Sequence, residues 1–240
     1  MMIEKKLVYT FFVALFLFSC SSDPKVYDER AIASFDALSE TIGKLESCSY
    51  TLNTFVSKKT GEQYTNEHDV YMRGPNKMYI HSDGTKGERS YWYDGKTMGY
   101  FNFAKNTFDT IPALENIVKT IDVLHHKYGI DFPAADFFYP TFTDDMIDNF
   151  DQILFFGDET LDGVDCSVSK LVNDKYLVHI WIDKKTDLPH KLVISNVNNS
   201  LGYYEAVFSN WRENPVLPDI LFEFKPPQHS TRVALKIKAL

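Results

Sequence analysis

From Ala31 to Glu46, apolar residues recur at Ile32, Phe35, Leu38, Ile42 and Leu45, the spacing of one helical face. The period then shortens to two. Tyr50, Leu52, Thr54 and Val56 alternate with Thr51, Asn53 and Phe55, which predicts a strand. Further strands are expected over 64–72, 77–82 and 88–93. Asp94-Gly95 reads as a hairpin turn of the kind that needs positive φ at its central residues. Its partner strand runs over 97–103, and Lys105-Asn106 turns the chain into 107–110. Connections this short favour antiparallel neighbours.

The helical period returns over 113–128, at Leu114, Ile117, Val118, Ile121, Leu124 and Tyr128, with Gly129 suited to the position after the last turn. An apolar, Pro-bounded stretch covers 130–140. Thr143 is expected to cap a second short helix with Asp144 and Asp145 in its first turn. Strand patterns resume at 152–156, 166–172, 176–182, 188–196 and 201–211, with Asn173-Asp174 as a turn and 221–224 as a final edge strand. No internal repeat or interior linker interrupts the pattern, so residues 31–240 read as a single α+β domain built on an antiparallel meander.

The first residues follow another logic. Lys5 and Lys6 precede an apolar run from Leu7 to Phe18, a layout of signal-peptide length that is too short to span a bilayer comfortably. The run ends in Leu17-Phe18-Ser19-Cys20, which resembles the bacterial lipobox, although Phe18 is bulkier than the usual residue at its position. This predicts a signal peptide over 1–19, lipidation at Cys20 and a lipidated tether over 20–30. The alternative is a plain secretory signal that happens to contain a cysteine. Several acyl chains anchor far more firmly than one. Ser21 after the cysteine does not resemble an inner-membrane retention signal, so the expected location is the bacterial cell envelope, on the periplasmic side of the outer membrane, with surface exposure left open.

Charge narrows the partners. With 25 Lys+Arg against 33 Asp+Glu the chain carries −8, which points away from nucleic acid and anionic surfaces. Cys48 and Cys166 remain beyond the anchor. An exporting compartment permits a disulfide between them, and two buried thiols are the other reading, the one expected here. There is no C-x-x-C, no G-x-S-x-G, no H-E-x-x-H and no phosphate-cradling glycine loop. The adjacent His125 and His126 point to different sides of a helix and cannot share a metal at i,i+4 spacing. His68 and His179 fall within strands, without clustered ligands. Asp144, Asp145, Asp148 and Asp151 read as a solvated helix flank, and Asp131 and Asp136 as turn or cap formers. No cofactor, metal or catalytic group is expected.

Several segments carry a resemblance. Phe35-Asp36-Ala37-Leu38 running into Cys48-Ser49-Tyr50-Thr51, Met72-Arg73-Gly74-Pro75, Tyr93-Asp94-Gly95-Lys96-Thr97 and Tyr100-Phe101-Asn102 occur in an order that resembles the LolA/LolB family of lipoprotein carriers. Tyr128-Gly129-Ile130 followed by Pro133-Ala134-Ala135-Asp136, and the closing Phe222-Glu223-Phe224-Lys225-Pro226-Pro227, are similar to a set of predicted periplasmic proteins of unassigned function sharing that fold. The resemblance covers about residues 31–227. It implies a strongly curved antiparallel sheet, a half-barrel, with helices covering the concave face around an apolar cavity and the 113–138 region as its lid.

The cavity would then include Met78, Ile80, Trp92, Phe101, Phe103, Leu114, Ile117, Ile121, Ile180, Leu192, Ile194 and Phe208. Each also reads as plain core packing, and a one-residue register error would turn any strand over. The leading function is binding of an apolar ligand such as a lipid or the acyl chain of another lipoprotein, without catalysis. One alternative is an envelope structural or assembly protein with a self-filled core and a protein partner. The other is a hydrolase using Asp136 or a histidine at the cleft mouth.

Overall fold

The computed structural model describes residues 25–196 and 202–238; the signal region with Cys20 lies outside them. The first described element is a strand. Val26–Tyr27 (β1) pairs in parallel with the start of a later strand, so the chain joins the sheet inside the span expected to be tether. Asp28 then caps α1 (Glu29–Gly43), its carboxylate accepting from Arg30 N–H, and the helix buries Ala31, Phe35 and Leu38 on one stripe.

A meander follows: β2 (Ser47–Ser57), β3 (Gln63–Arg73), β4 (Lys77–Gly84), β5 (Arg89–Tyr93), β6 (Thr97–Asn102) and β7 (Thr107–Pro112). The helical insert comprises α2 (Ile117–Tyr128), a 3₁₀ turn at Ala135–Phe138, and α3 (Phe142–Asn149). The second meander is β8 (Gln152–Leu161), β9 (Val164–Val172), β10 (Tyr176–Asp183), β11 (Pro189–Asn196) and β12 (Tyr203–Glu213). A 3₁₀ turn at Asp219–Phe222 and the short β13 (Thr231–Arg232) complete the described chain.

All thirteen strands form one sheet in the order β1-β8-β9-β10-β11-β12-β2-β3-β4-β5-β6-β7-β13. Only the two edge pairings, β1 with β8 and β13 with β7, are parallel. The two meanders join where β12 pairs with β2, and the ends never meet. The sheet is thus a curved, open half-barrel with helices on its concave face, as the α+β reading expects. The register fixes facing. Cys48, Met72, Met78, Tyr93 and Met98 form one cross-strand row; Tyr50, Val70, Ile80 and Tyr91 form the next. Both rows belong to the main core, with Phe35, Phe137, Phe142, Ile180 and Phe208.

Three local expectations change. α3 starts at Phe142 with Thr141, not Thr143, at its N-cap, because burial of Phe142 sets where the helix begins. Residues 221–224 are not a strand. Phe222 is buried by the 3₁₀ turn that contains it, and the edge position is taken by β13. The β5–β6 hairpin does not use two positive-φ residues: Gly95 alone has φ 89, while the Asp94 carboxylate accepts from Lys96 and Thr97 N–H at 2.8 Å. A Cβ on Gly95 would lie 2.6 Å from Asn76 Nδ2, so the turn demands glycine on space as well as φ.

Candidate ligand-binding site

At one end of the half-barrel, α1 stops at Gly43 and β2 starts at Ser47, leaving a gap beside the β3–β4 turn. α2 closes the far side of that gap. Its N-cap Asn116 accepts from Lys119 N–H, and Ile117 N–H donates to the Pro75 carbonyl at 3.0 Å, which ties the helix start to the turn. Between them lies a pocket of about 530 Å³. Its walls are mainly apolar: Ile42, Leu45, Cys48, Met72, Pro75, Ile117, Val118, Phe137 and Phe138.

Behind it, under α2 and the 130–138 segment, the concave sheet keeps a second void of only about 40 Å³, bordered by Tyr50, Val70, Met78, Ile80, Ile121 and Phe132. Met72 and Phe138 border both spaces. Phe138 stacks on Tyr50 with ring centroids 5.8 Å apart and planes 12° from parallel. Two flexible or ring-shaped side chains are therefore shared by an open apolar pocket and a nearly filled interior.

The inner void ends on polar groups. His68 Nδ1 lies 2.7 Å from Ser82 Oγ and its Nε2 3.3 Å from Thr54 Oγ1, so both ring nitrogens are satisfied in a buried setting. Burial, with the positive charge of Arg89 nearby, pushes the His68 imidazole down to about 4. Burial raises the Tyr91 hydroxyl to about 12, against the opposing influence of Arg89.

A third space, about 470 Å³, lies on the other side of α2 and is lined by Asp122, His125, Asp131, Asp136, Tyr139 and Asp145. Burial raises the Asp136 carboxyl, the Tyr139 hydroxyl donates to Asp122 at 2.6 Å, and His125 Nδ1 sits 2.7 Å from Asp131. Among the described residues no group of three or more His, Cys, Asp and Glu is placed to hold a metal ion, and no helix is long and apolar enough to cross a membrane.

The residues expected to line one cavity separate into five groups. Met78, Ile80 and Ile121 border the inner void, and Ile117 borders the pocket. Ile180, Leu192, Ile194 and Phe208 share the concave face but pack under the other half of the sheet, and border neither space. Leu114 is a surface residue, 42% exposed; it contributes its carbonyl, which accepts from the Tyr93 hydroxyl at 2.5 Å.

Trp92, Phe101 and Phe103 are the corrections. Trp92 pairs with Tyr79 and Gly99, one residue out of step with the concave row of Tyr91. It faces the convex side and meets Phe224 of the C-terminal segment at 5.0 Å. Phe101 lies on that convex side too, opposite Phe108, and Phe103 packs edge-on against it. The physical reason is that the C-terminal segment covers this face, so β5 and β6 bury aromatic residues on both sides and lose their alternation. Gly99 carries the missing signal: it is directly opposite Trp92, and a Cβ there would fall 2.5 Å from Phe224.

Cys48 and Cys166 are both free and buried, and burial raises their thiols to about 12 and about 11. Cys48 lines the pocket. Cys166 lies outside the main core cluster.

The fold and the pocket together define a class: open, curved antiparallel half-barrels covered by helices on the concave face. Over residues 31–236 the chain matches the family described as "Predicted periplasmic protein (DUF2092)", and it belongs to that family. No curated protein matches its sequence. Among solved structures, an uncharacterized conserved protein from Thermus thermophilus superposes with a TM-score of 0.52 at 10% identity, covering 85% of this chain and 99% of that one. MucB, a Pseudomonas aeruginosa protein solved also with MucA, gives 0.50 at 13% identity over 82% of this chain and 64% of MucB. A LolA superfamily protein from Nitrosomonas europaea gives 0.35 at 11% identity over 81% and 97%.

Proposed function

We propose that this periplasmic protein binds an apolar ligand, a lipid or an acyl chain, in the space between α2, the 130–138 segment and the concave sheet, and performs no chemistry on it. The observation that carries this reading is the mainly apolar pocket of about 530 Å³, which shares Met72 and Phe138 with the void under α2. Pockets of this size and lining suit small apolar ligands. Swinging the Phe138 ring off Tyr50 would join the two spaces. In this reading residues 1–19 are removed, Cys20 carries the lipid anchor, and the domain stands on the periplasmic side of the outer membrane.

One observation favours the alternative of a structural module with a protein partner. The inner void is about 40 Å³, room for a water or two, so the half-barrel is nearly filled by its own side chains. Titration of the delipidated protein with the neutral dye Nile red separates the readings. Saturable binding in the wild type that is lost in Ile121→Asp, with a cooperative melt retained, supports the carrier. Ile121 is 8% exposed, and a carboxylate there must either be desolvated or hold α2 away from the sheet. Absence of saturable binding to the wild type assigns the structural role.

A further inference from the structure

The inner void is graded in polarity along the strands. Nearest the pocket is the row of Cys48, Met72, Met78 and Tyr93; two residues further along lies Tyr50, Val70, Ile80 and Tyr91. The next row is Leu52, His68, Ser82 and Arg89. Rows two residues apart are separated by about 7 Å, so the cavity passes from apolar to polar over about 14 Å.

Arg89 at that polar end is unusual in its surroundings. Arg30, Arg73 and Arg232 each pair with an aspartate, whereas Arg89 and Arg212 form no ion pair among the described residues, and of these two only Arg89 lines the void. Its interaction is with the Tyr91 hydroxyl. Neither nearby acid forms an ion pair with it: Glu88 lies 3.7 Å from His81, and Asp131, which borders the same void, is bonded to His125 and mostly exposed. His68 is neutral and bonded through both nitrogens, so it competes for no anion. A guanidinium lining a mainly apolar space with no ion pair of its own is a receptor for an oxyanion.

We infer that the ligand is a single-chain amphiphile with an anionic oxygen head, whose head sits at Arg89 and Tyr91 and whose chain runs toward Met72 and the pocket, widening the void of about 40 Å³ by displacing Phe138 and lifting α2. The inference rests on the apolar-ligand reading and adds the head group and its orientation. A fatty-acid carboxylate and a lipid phosphate share this chemistry, and one experiment distinguishes them.

Displacement of Nile red from the full delipidated chain is measured with oleate, oleyl phosphate and methyl oleate. Oleate or oleyl phosphate should displace the dye at a concentration at least ten-fold lower than the ester, the tighter of the two naming the head. Arg89→Gln should raise that concentration about ten-fold and leave methyl oleate unchanged, while Arg89→Lys keeps most of the preference. Equal displacement by acid, phosphate and ester in the wild type overturns the inference but leaves the apolar-ligand reading standing. No displacement by any of the three overturns both. Should Arg89→Gln melt non-cooperatively, the wild-type ratio and the Arg89→Lys protein decide.

Discussion

The two halves of the concave face are built from the same material to different ends. Under β8–β12, α1 and α3 press Phe35, Leu38 and Phe142 onto Ile153, Leu171, Ile180 and Phe208, all at most 2% exposed. Under β2–β6, α2 and the 130–138 segment cover rows that begin as apolar and end on His68, Ser82 and Arg89, and leave both the pocket and the inner void. The attachment of the cover differs too. α1 and α3 pack on each other and on the sheet, with Phe142 edge-on to Phe35 at 5.5 Å, whereas α2 is tied at its two ends, by the Pro75 carbonyl and by the Lys238 N–H. Apolar composition alone therefore does not make a core; it makes a core where the covering elements also brace one another.

The largest effect should come from the sealed half. Phe35→Ala removes a fully buried ring and should cost about 3–5 kcal/mol, which for a domain of this size lowers the melting temperature on the order of 10 °C. A second test uses acid. The His68 imidazole is held at about 4, below its ordinary 6.5, so the folded state resists a proton that the unfolded chain accepts. Its contribution is fully present above pH 6.5 and is lost as pH falls toward 4, by about 3 kcal/mol. Denaturant melts of wild type and His68→Gln across that window should converge if His68 is responsible; parallel curves would reject the assignment. The smallest effect belongs to Phe138→Ala. This ring is only half-buried, so the expected loss is about 1–2 kcal/mol, with Nile red binding tightened because the pocket and the inner void merge. Equal losses at Phe35 and Phe138 would erase the distinction between the halves.

Much of the fold is legible in the residues. Period two at Tyr50–Val56, the helical spacing of Ile117, Ile121 and Leu124, and Gly129 at φ 64 after α2 each locate an element within a few positions. β1 and β13 are not legible, because two-residue strands carry no period and exist only through their edge partners. The site is harder than the fold. Tyr91-Trp92-Tyr93 presents three aromatic residues in succession, and nothing within that triplet says which one faces inward. The answer lies more than a hundred residues away, in Phe224, which claims the outward face. Arg89 is illegible for the opposite reason: a lone arginine at the start of a strand looks like a solvated edge until the void beside it is seen.

The course of the C-terminal segment has a mechanical consequence. From Leu217, whose carbonyl accepts from Arg73, it crosses the outer face with Phe224 seated over Gly99 between Trp92 and Phe108. It then rounds the β7 edge, where Arg232 Nε and the Leu235 N–H both bond Asp109, and reaches the helical side, where Lys238 N–H donates to the Lys127 carbonyl at the end of α2. The half of the barrel with least filling inside is thus splinted from outside, by a single strap that also holds the trailing end of the cover. Contacts made outside the wall thus hold it together with the end of its cover, so the space inside is not the only place where this half of the fold is secured.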